Sequence, residues 1–310
     1  MGVGAMTWGD PSGRARWTPA KFAYGGGPES REEEQRAFDA SVAAGATLFD
    51  TAEMYGAGAS ERRLGELAHA RDILIATKFP PNMLSRAGAM PRALERSLEL
   101  LQRSTVDLYM HHFPARRVSI PDLMHLMADA VEQGKVRAVG VSNYSASQMR
   151  VAHAALAERG VPLASNQVEY SLLHRQPETD GVLDACRELG ITLTANQPLA
   201  NGALTGKYLT GPRPTGFRRF MPRFRGQQLA ATGPVVALLQ TIGHAHGRTP
   251  AQVALRWLIE KDLVLPIPGA KNSRQAADNA GALTLSLTRA EVEALDLATT
   301  GWRGTKGTAA

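Results

Sequence analysis

Two kinds of hydrophobic pattern alternate along this chain. Short, nearly continuous apolar runs are separated by longer stretches in which apolar residues recur at helical spacing, and these patterns predict buried strands and amphipathic helices respectively. Strands are expected at residues 3–6, 47–50, 73–77, 106–111, 136–141, 163–168, 191–195 and 263–267. Helices are expected at 31–44, 60–69, 90–101, 120–132, 146–158, 179–189, 227–245 and 250–260, with two more at 273–280 and 288–297. Gly45, Gly134, Gly160 and Gly190 stand where helices should stop, and Ser60 reads as a helix cap. Residues 10–30 and 201–225, rich in Gly, Pro and Arg, read as long loops.

Strand and helix alternating this regularly, with few hairpin signals, imply a parallel sheet, and eight such units predict a closed (β/α)8 TIM barrel, an α/β fold. The chain has 310 residues, 44% of them hydrophobic, enough for one barrel domain spanning 1–310. Asp50, Lys78, His112, Asn143 and Gln167 all fall at or just beyond the carboxyl ends of successive expected strands. In a barrel those ends share one face, where a site is assembled. The competing architecture, a doubly wound open sheet, would carry a Gly-rich dinucleotide fingerprint after its first strand, and no GxGxxG occurs there.

The formal net charge of +6 raises nucleic acid as a partner, but Lys and Arg are scattered and aromatics make up only 6%. A basic-aromatic platform of the kind nucleic-acid binders use is missing, so a site for an anionic cofactor is the better use of the charge. The single cysteine, Cys186, excludes an internal disulfide, fits a reducing, cytoplasmic compartment and reads as core packing. No apolar run of about 18 residues is present and the N-terminus lacks a signal-peptide order, so no membrane partner is expected. His244 and His246 are two apart on a helix with no acid or Cys cluster beside them, and they read as a solvated helix end; no metal site is expected. GALTGKY at 202–208 is one residue short of a phosphate-binding loop and ends in Tyr208 where a hydroxyl would hold magnesium. The basic run GFRRFMPRFRG at 216–226 reads as a mobile lid.

The most informative stretch is TLFDTAEMYGAGASERRLGE at 47–66, a strand ending in Asp50, a loop carrying Tyr55 and the start of a helix. A phenol donates a proton to a carbonyl oxygen near neutral pH only if its pKa is brought down from about 10. Lys78, at the end of the next strand, is placed to do this, with Asp50 holding the lysine and balancing its charge. His112 can donate a hydrogen bond to the same oxygen.

These residues lie within an ordered set of motifs: FDTAEMYG at 49–56, ATKF at 76–79, DLYMHHFP at 107–114, GVSNY at 140–144, NQVEYSLL at 166–173, LTGKY at 204–208 and PIPGAKNSRQ at 266–275. In content and order the chain resembles the aldo-keto reductase family along nearly its whole length. The resemblance implies an NADPH-dependent oxidoreductase that reduces an aldehyde or ketone, a small-molecule carbonyl substrate, by hydride transfer. It implies Asp50, Tyr55, Lys78 and His112 as the catalytic tetrad, with His112 preferred over His111 because it stands two residues before Pro114. Ser142, Asn143 and Gln167 match the positions that hold the nicotinamide carboxamide. The segment with Gly202, Leu204 and Lys207, within a cofactor-covering loop at 201–226, matches the cover over the pyrophosphate. Gly269, Lys271, Gln275 and Asn279 match the segment that takes the adenosine phosphate and adenine, ahead of the C-terminal helices in 273–310.

The chain departs from the family where Tyr-Ser-Pro-Leu is common after the seventh strand: here Asn196, Gln197, Pro198 and Leu199 occupy those positions, so ring stacking on the nicotinamide is lost. Only a few residues precede Gly4, so the family's initial hairpin is expected to be absent or reduced, and Trp8 falls close to where the family places an aromatic wall of the substrate pocket. A nucleotide-binding, redox-sensing regulatory subunit with slow or no turnover is the alternative implied by the same resemblance. A Schiff-base lyase would need Lys78 as a neutral nucleophile, which an adjacent Asp50 disfavours.

Overall fold

The computed structural model describes residues 1–9, 30–80, 87–114 and 119–303. Eight parallel strands form one sheet in chain order: β1 (Val3–Gly4), β2 (Leu48–Asp50), β3 (Leu74–Phe79), β4 (Val106–His111), β5 (Val136–Ser142), β6 (Leu163–Glu169), β7 (Thr192–Asn196) and β8 (Val264–Pro266). The sheet curls until its edges meet, where Gly2 N–H donates to Pro266 O and Gly4 N–H to Pro268 O, each at 3.0 Å. Gly4 suits this seam because a Cβ there would stand 3.1 Å from Ile267 O. The result is the (β/α)8 barrel.

Helices cross between consecutive strands: α1 (Arg31–Ala43), α2 (Ala59–Leu67), α3 (Met90–Leu101), α4 (Ile120–Glu132), α5 (Ala146–Ala157) and α6 (Val182–Leu189). The β7–β8 connection is longer, with α7 (Lys207–Thr210), α8 (Gly226–Ala231), α9 (Gly233–His246) and α10 (Pro250–Ile259), and α11 (Ser273–Ala280) and α12 (Arg289–Ala298) follow β8. Helix α3 shows why these segments pack. Its Met90, Leu94, Leu98 and Leu101 recur at helical spacing and are all buried, each burial being worth about 1.5–3 kcal/mol. Side-chain caps fix several helix starts, with reciprocal capping boxes at Ser145/Gln148, Thr249/Gln252 and Thr288/Glu291.

Because helices cover the outside and side chains fill the inside, β3 is buried on both faces from Ile75 to Phe79. Its alternation sends Thr77 and Lys78 opposite ways. The Thr77 hydroxyl donates to Glu61 Oε1 of α2 at 2.6 Å, while Lys78 faces the site.

Several boundaries differ from expectation. Ser60 is not a cap: the helix begins at Ala59 after Gly58 in a left-handed turn (φ 88°), and the Ser60 hydroxyl donates to Ala5 O at 2.7 Å. The helix expected from 179 starts at Val182, after Gly181, and the one expected over 227–245 breaks into α8 and α9 at Thr232. Trp8 is no pocket wall. It is fully buried against Phe38 and Phe49, and its indole N–H donates to Ala270 O at 2.7 Å. His246 is half-buried and bonded to Glu291 at 2.8 Å, so this helix end is anchored. Of the expected loop at 10–30 only Ser30 is described, capping α1 by accepting from Glu33 N–H; 81–86 and the chain end after 303 also lie outside the described residues.

Candidate active site

The carboxyl ends of the strands open into a cleft of about 920 Å³. The four residues of the proposed tetrad come from three successive βα units. Asp50 closes β2, Tyr55 opens the short helical turn Tyr55–Gly58, Lys78 is in β3, and His112 follows β4. After Tyr55 the backbone is left-handed at Gly56, Ala57 and Gly58. For Ala57 this is a costly conformation that the surrounding fold imposes, of the kind that concentrates at functional sites.

Lys78 is completely buried and its ammonium has three acceptors: Asp50 Oδ1 at 2.6 Å, Thr51 O at 2.7 Å and the Tyr55 oxygen at 3.4 Å. Gln167 Nε2 donates to the other Asp50 oxygen at 2.8 Å, so both carboxylate oxygens are engaged. An ammonium donating to three acceptors in a buried setting is held charged, which argues against a nucleophilic lysine and the Schiff-base chemistry it would serve.

Burial first and the Asp50 charge second push the Tyr55 phenol well above its ordinary pKa. The Lys78 ammonium, 2.6 Å from Asp50 and 3.4 Å from the phenol oxygen, acts on the phenol in the opposite sense. The phenol therefore keeps its proton until a strong base reaches it. The His112 ring meets the Tyr55 ring edge-on, with centroids 5.6 Å apart. Burial, then Lys78, then His111 lower the His112 pKa to about 2, so its imidazole is neutral and can donate one N–H. Its neighbour His111 points elsewhere: Nδ1 contacts the Tyr144 hydroxyl at 2.6 Å and the ring stacks on Phe79.

Ser142, Asn143 and Gln167 line the cleft beside this group. The Ser142 hydroxyl donates to Gln167 O, and Asn143, itself left-handed (φ 61°), donates to His112 O at 3.0 Å. Asn196, Gln197, Pro198 and Leu199 continue the wall, where Gln197 and Asn201 are again left-handed and Asn201 Nδ2 donates to Gln197 Oε1 at 2.6 Å. Gly202 and Lys207 line the cleft, but the Leu204 side chain is fully buried in the core. The far end is formed by Gly269, Lys271, Gln275 and Asn279 around the start of α11, which Asn272 caps by accepting from Gln275 N–H.

Four cations, Lys207, Arg218, Lys271 and Arg274, line this cleft, and among the described residues none is paired with a carboxylate. Burial, then Arg218 and Lys207, lower the Lys271 pKa to about 8. Such a cluster, joined to a helix N-terminus, fits an elongated polyanion such as a dinucleotide. Sequence reasoning missed Arg218, since nothing in the run 216–226 says which arginine turns inward, and Glu169, which lines the cleft and bonds Arg223 at 2.6 Å. The only trace of the latter is its place one residue past an expected strand end. The Arg223–Glu169 contact holds the basic run against the barrel, with Phe224 buried against Tyr208. Among the described residues no metal-ligating cluster exists and no helix is long and apolar enough to span a membrane.

Comparison with known proteins agrees with this architecture. The model of the aldo/keto reductase family matches residues 1–299. The chain is 36% identical to "Pyridoxal reductase, chloroplastic" of Arabidopsis thaliana, over 96% of this chain and 82% of the relative. It is 34% identical to "Aldo-keto reductase yakc [NADP(+)]" of Schizosaccharomyces pombe, over 86% and 82%. It superposes on a crystal structure of an aldo-keto reductase from Klebsiella pneumoniae in complex with NADPH with a TM-score of 0.74, at 28% identity, covering 99% of this chain and 93% of that one. A barrel closed in this order, a family match over almost the whole length and relatives above 30% identity together establish that the chain belongs to the aldo/keto reductase family.

Proposed function

We propose that this protein reduces an aldehyde or ketone to the alcohol at the expense of NADPH, with Tyr55 as the proton donor. The observation that carries the reading is the buried chain Gln167–Asp50–Lys78–Tyr55, which ends at the cleft beside His112. Reduced nicotinamide would supply hydride to the carbonyl carbon. As the carbonyl oxygen gains charge, the Tyr55 hydroxyl and the neutral His112 N–H both donate to it. An alkoxide is a stronger base than a phenolate, so a phenol with a raised pKa still gives up its proton at that moment. The Lys78 ammonium then stabilises the phenolate left behind, and Asp50 keeps the lysine in place.

Ser142, Asn143 and Gln167 are the groups proposed to meet the carboxamide, and Asn196 to face the nicotinamide edge. Lys207 and Gly202 would flank the pyrophosphate, and Lys271 with Gln275 and Asn279 the adenosine end. The cation cluster favours NADPH over NADH because the extra phosphate supplies the missing counter-charge. The name of the Schizosaccharomyces pombe relative and the ligand in the Klebsiella pneumoniae structure support that choice. Rapid mixing of the NADPH complex with a panel of aldehydes and ketones tests the proposal. Single-turnover loss of the reduced-nicotinamide absorbance with carbonyl substrates is expected. No hydride transfer at millimolar aldehyde would sink it and point to a nucleotide-binding module instead.

A further inference from the structure

The bond from Gln167 to Asp50 crosses the barrel. Asp50 closes β2 and Gln167 lies in β6, four strands away in a ring of eight, so the two side chains meet over the filled interior rather than along the sheet. Both residues are buried. A carboxylate has no proton to give, so the amide turns its N–H side to Asp50 and its carbonyl side away. The backbone of Gln167 is fixed as well, because its carbonyl oxygen accepts from the Ser142 hydroxyl at 2.8 Å and from Asn143 N–H at 2.9 Å. With Lys78 on one Asp50 oxygen at 2.6 Å and Gln167 on the other at 2.8 Å, the carboxylate is clamped from both sides.

The clamp reaches the phenol through charge. Among the described residues the charged and titratable groups facing Tyr55 are Asp50 from β2, Lys78 from β3 and His112 after β4. Of these, Asp50 is the one whose charge holds the proton on the phenol. An N–H donated to a buried carboxylate disperses its negative charge. Without that donor, Asp50 would draw the Lys78 ammonium more strongly, and the ammonium also serves the phenol oxygen. Losing the amide therefore acts twice in one direction: more negative charge beside Tyr55, and less of the ammonium's positive charge.

We infer that Gln167 is a positioning residue for proton transfer, whose side-chain N–H fixes Asp50 and, through Asp50 and Lys78, sets how readily Tyr55 gives up its proton. This rests on the reading of Tyr55 as proton donor and adds to the proposed contact of Gln167 with the carboxamide a second task on the opposite side of the same amide.

Fluorine NMR tests this without turnover. The six tyrosines are replaced by a ring-difluorinated tyrosine, whose phenol ionises near neutral pH, and the Tyr55 resonance is assigned from Tyr55→Phe. Working on the unliganded protein keeps the carboxamide out of the measurement. Gln167→Met retains the length of the side chain but donates nothing, and it should raise the Tyr55 titration midpoint by about half a pH unit or more while the other tyrosines stay in place. Gln167→Asn, an amide one methylene short of Asp50, should do the same, so the test holds if one of the two variants fails to fold. In an Asp50→Asn background the effect of Gln167→Met should vanish, because the carboxylate that transmits it is gone. An unmoved Tyr55 midpoint in the folded variants, or a shift that persists without the Asp50 carboxylate, overturns the inference and leaves carbonyl reduction standing. No hydride transfer from NADPH to any carbonyl by the unsubstituted protein overturns carbonyl reduction and the proton-transfer role together.

Discussion

The two ends of the cleft handle positive charge in opposite ways. At the tetrad, Lys78 is fully buried and compensated within the chain by Asp50, and every donor it has is occupied. At the α11 end, Lys207, Arg218, Lys271 and Arg274 gather without a carboxylate partner among the described residues, and their mutual repulsion helps to lower the Lys271 pKa. The first arrangement has little to offer an incoming anion and is suited to moving a single proton. The second is incomplete without a polyanion from outside. The same residue type thus serves two purposes, decided by whether the fold also supplies its counter-charge.

The largest expected effect breaks the first end alone. Tyr55→Phe removes the proposed proton donor but no cation, so turnover should fall by roughly 10²-fold or more while NADPH affinity, measured by fluorescence titration, is nearly unchanged. Retained turnover with the preferred substrate would remove Tyr55 from its role. Lys271→Ala breaks the other end. A charge-assisted contact to phosphate is worth about 1.5–3 kcal/mol, so NADPH should bind about tenfold or more weakly while NADH is spared. Equal losses for the two cofactors would show that Lys271 does not read the extra phosphate.

Titration sharpens the comparison without a substitution. With a pKa of about 8 in the unliganded protein, Lys271 is charged below that pH and neutral above it. NADPH affinity should therefore be level below about pH 8 and fall above it, by up to about tenfold per pH unit, as long as the bound phosphate keeps the lysine protonated. NADH affinity should change less, and an NADPH affinity that stays flat from pH 7 to 10 would contradict this account. The smallest effect is expected at the wall between the two ends. Restoring an aromatic ring with Asn196→Tyr should tighten NADPH about 2- to 10-fold, the range that aromatic stacking supports, and alter the spectrum of the complex. Unaltered binding and spectrum would show that residue 196 does not face the ring.

How much of this could be read from the chain differs from element to element. Strand 106–111 and the helices 90–101, 120–132 and 273–280 were legible to the residue, since their apolar spacing and their Gly, Ser or Pro boundaries agree with one another. The start of α2 was misread because Ser60 has the chemistry of a cap, while Gly58 decides the start through a left-handed conformation that no hydropathy pattern reports. Trp8 was misread because its neighbours Phe38, Phe49 and Ala270 come from distant parts of the chain.

By itself the sequence determined the order of strands and helices, and with it the side of the barrel on which Asp50, Tyr55, Lys78 and His112 would meet, because strand ends are a property of local pattern. Only the tertiary structure decided their electrical state. Whether Lys78 acts more on Asp50 or on Tyr55 depends on distances of 2.6 and 3.4 Å set by the packing of β2 against β3, and the burial that raises the phenol pKa is a property of the whole enclosure. The same holds for Arg218 and Glu169: their residue types were plain, but which of several charges turns into the cleft was settled only when the long β7–β8 connection folded back onto the barrel.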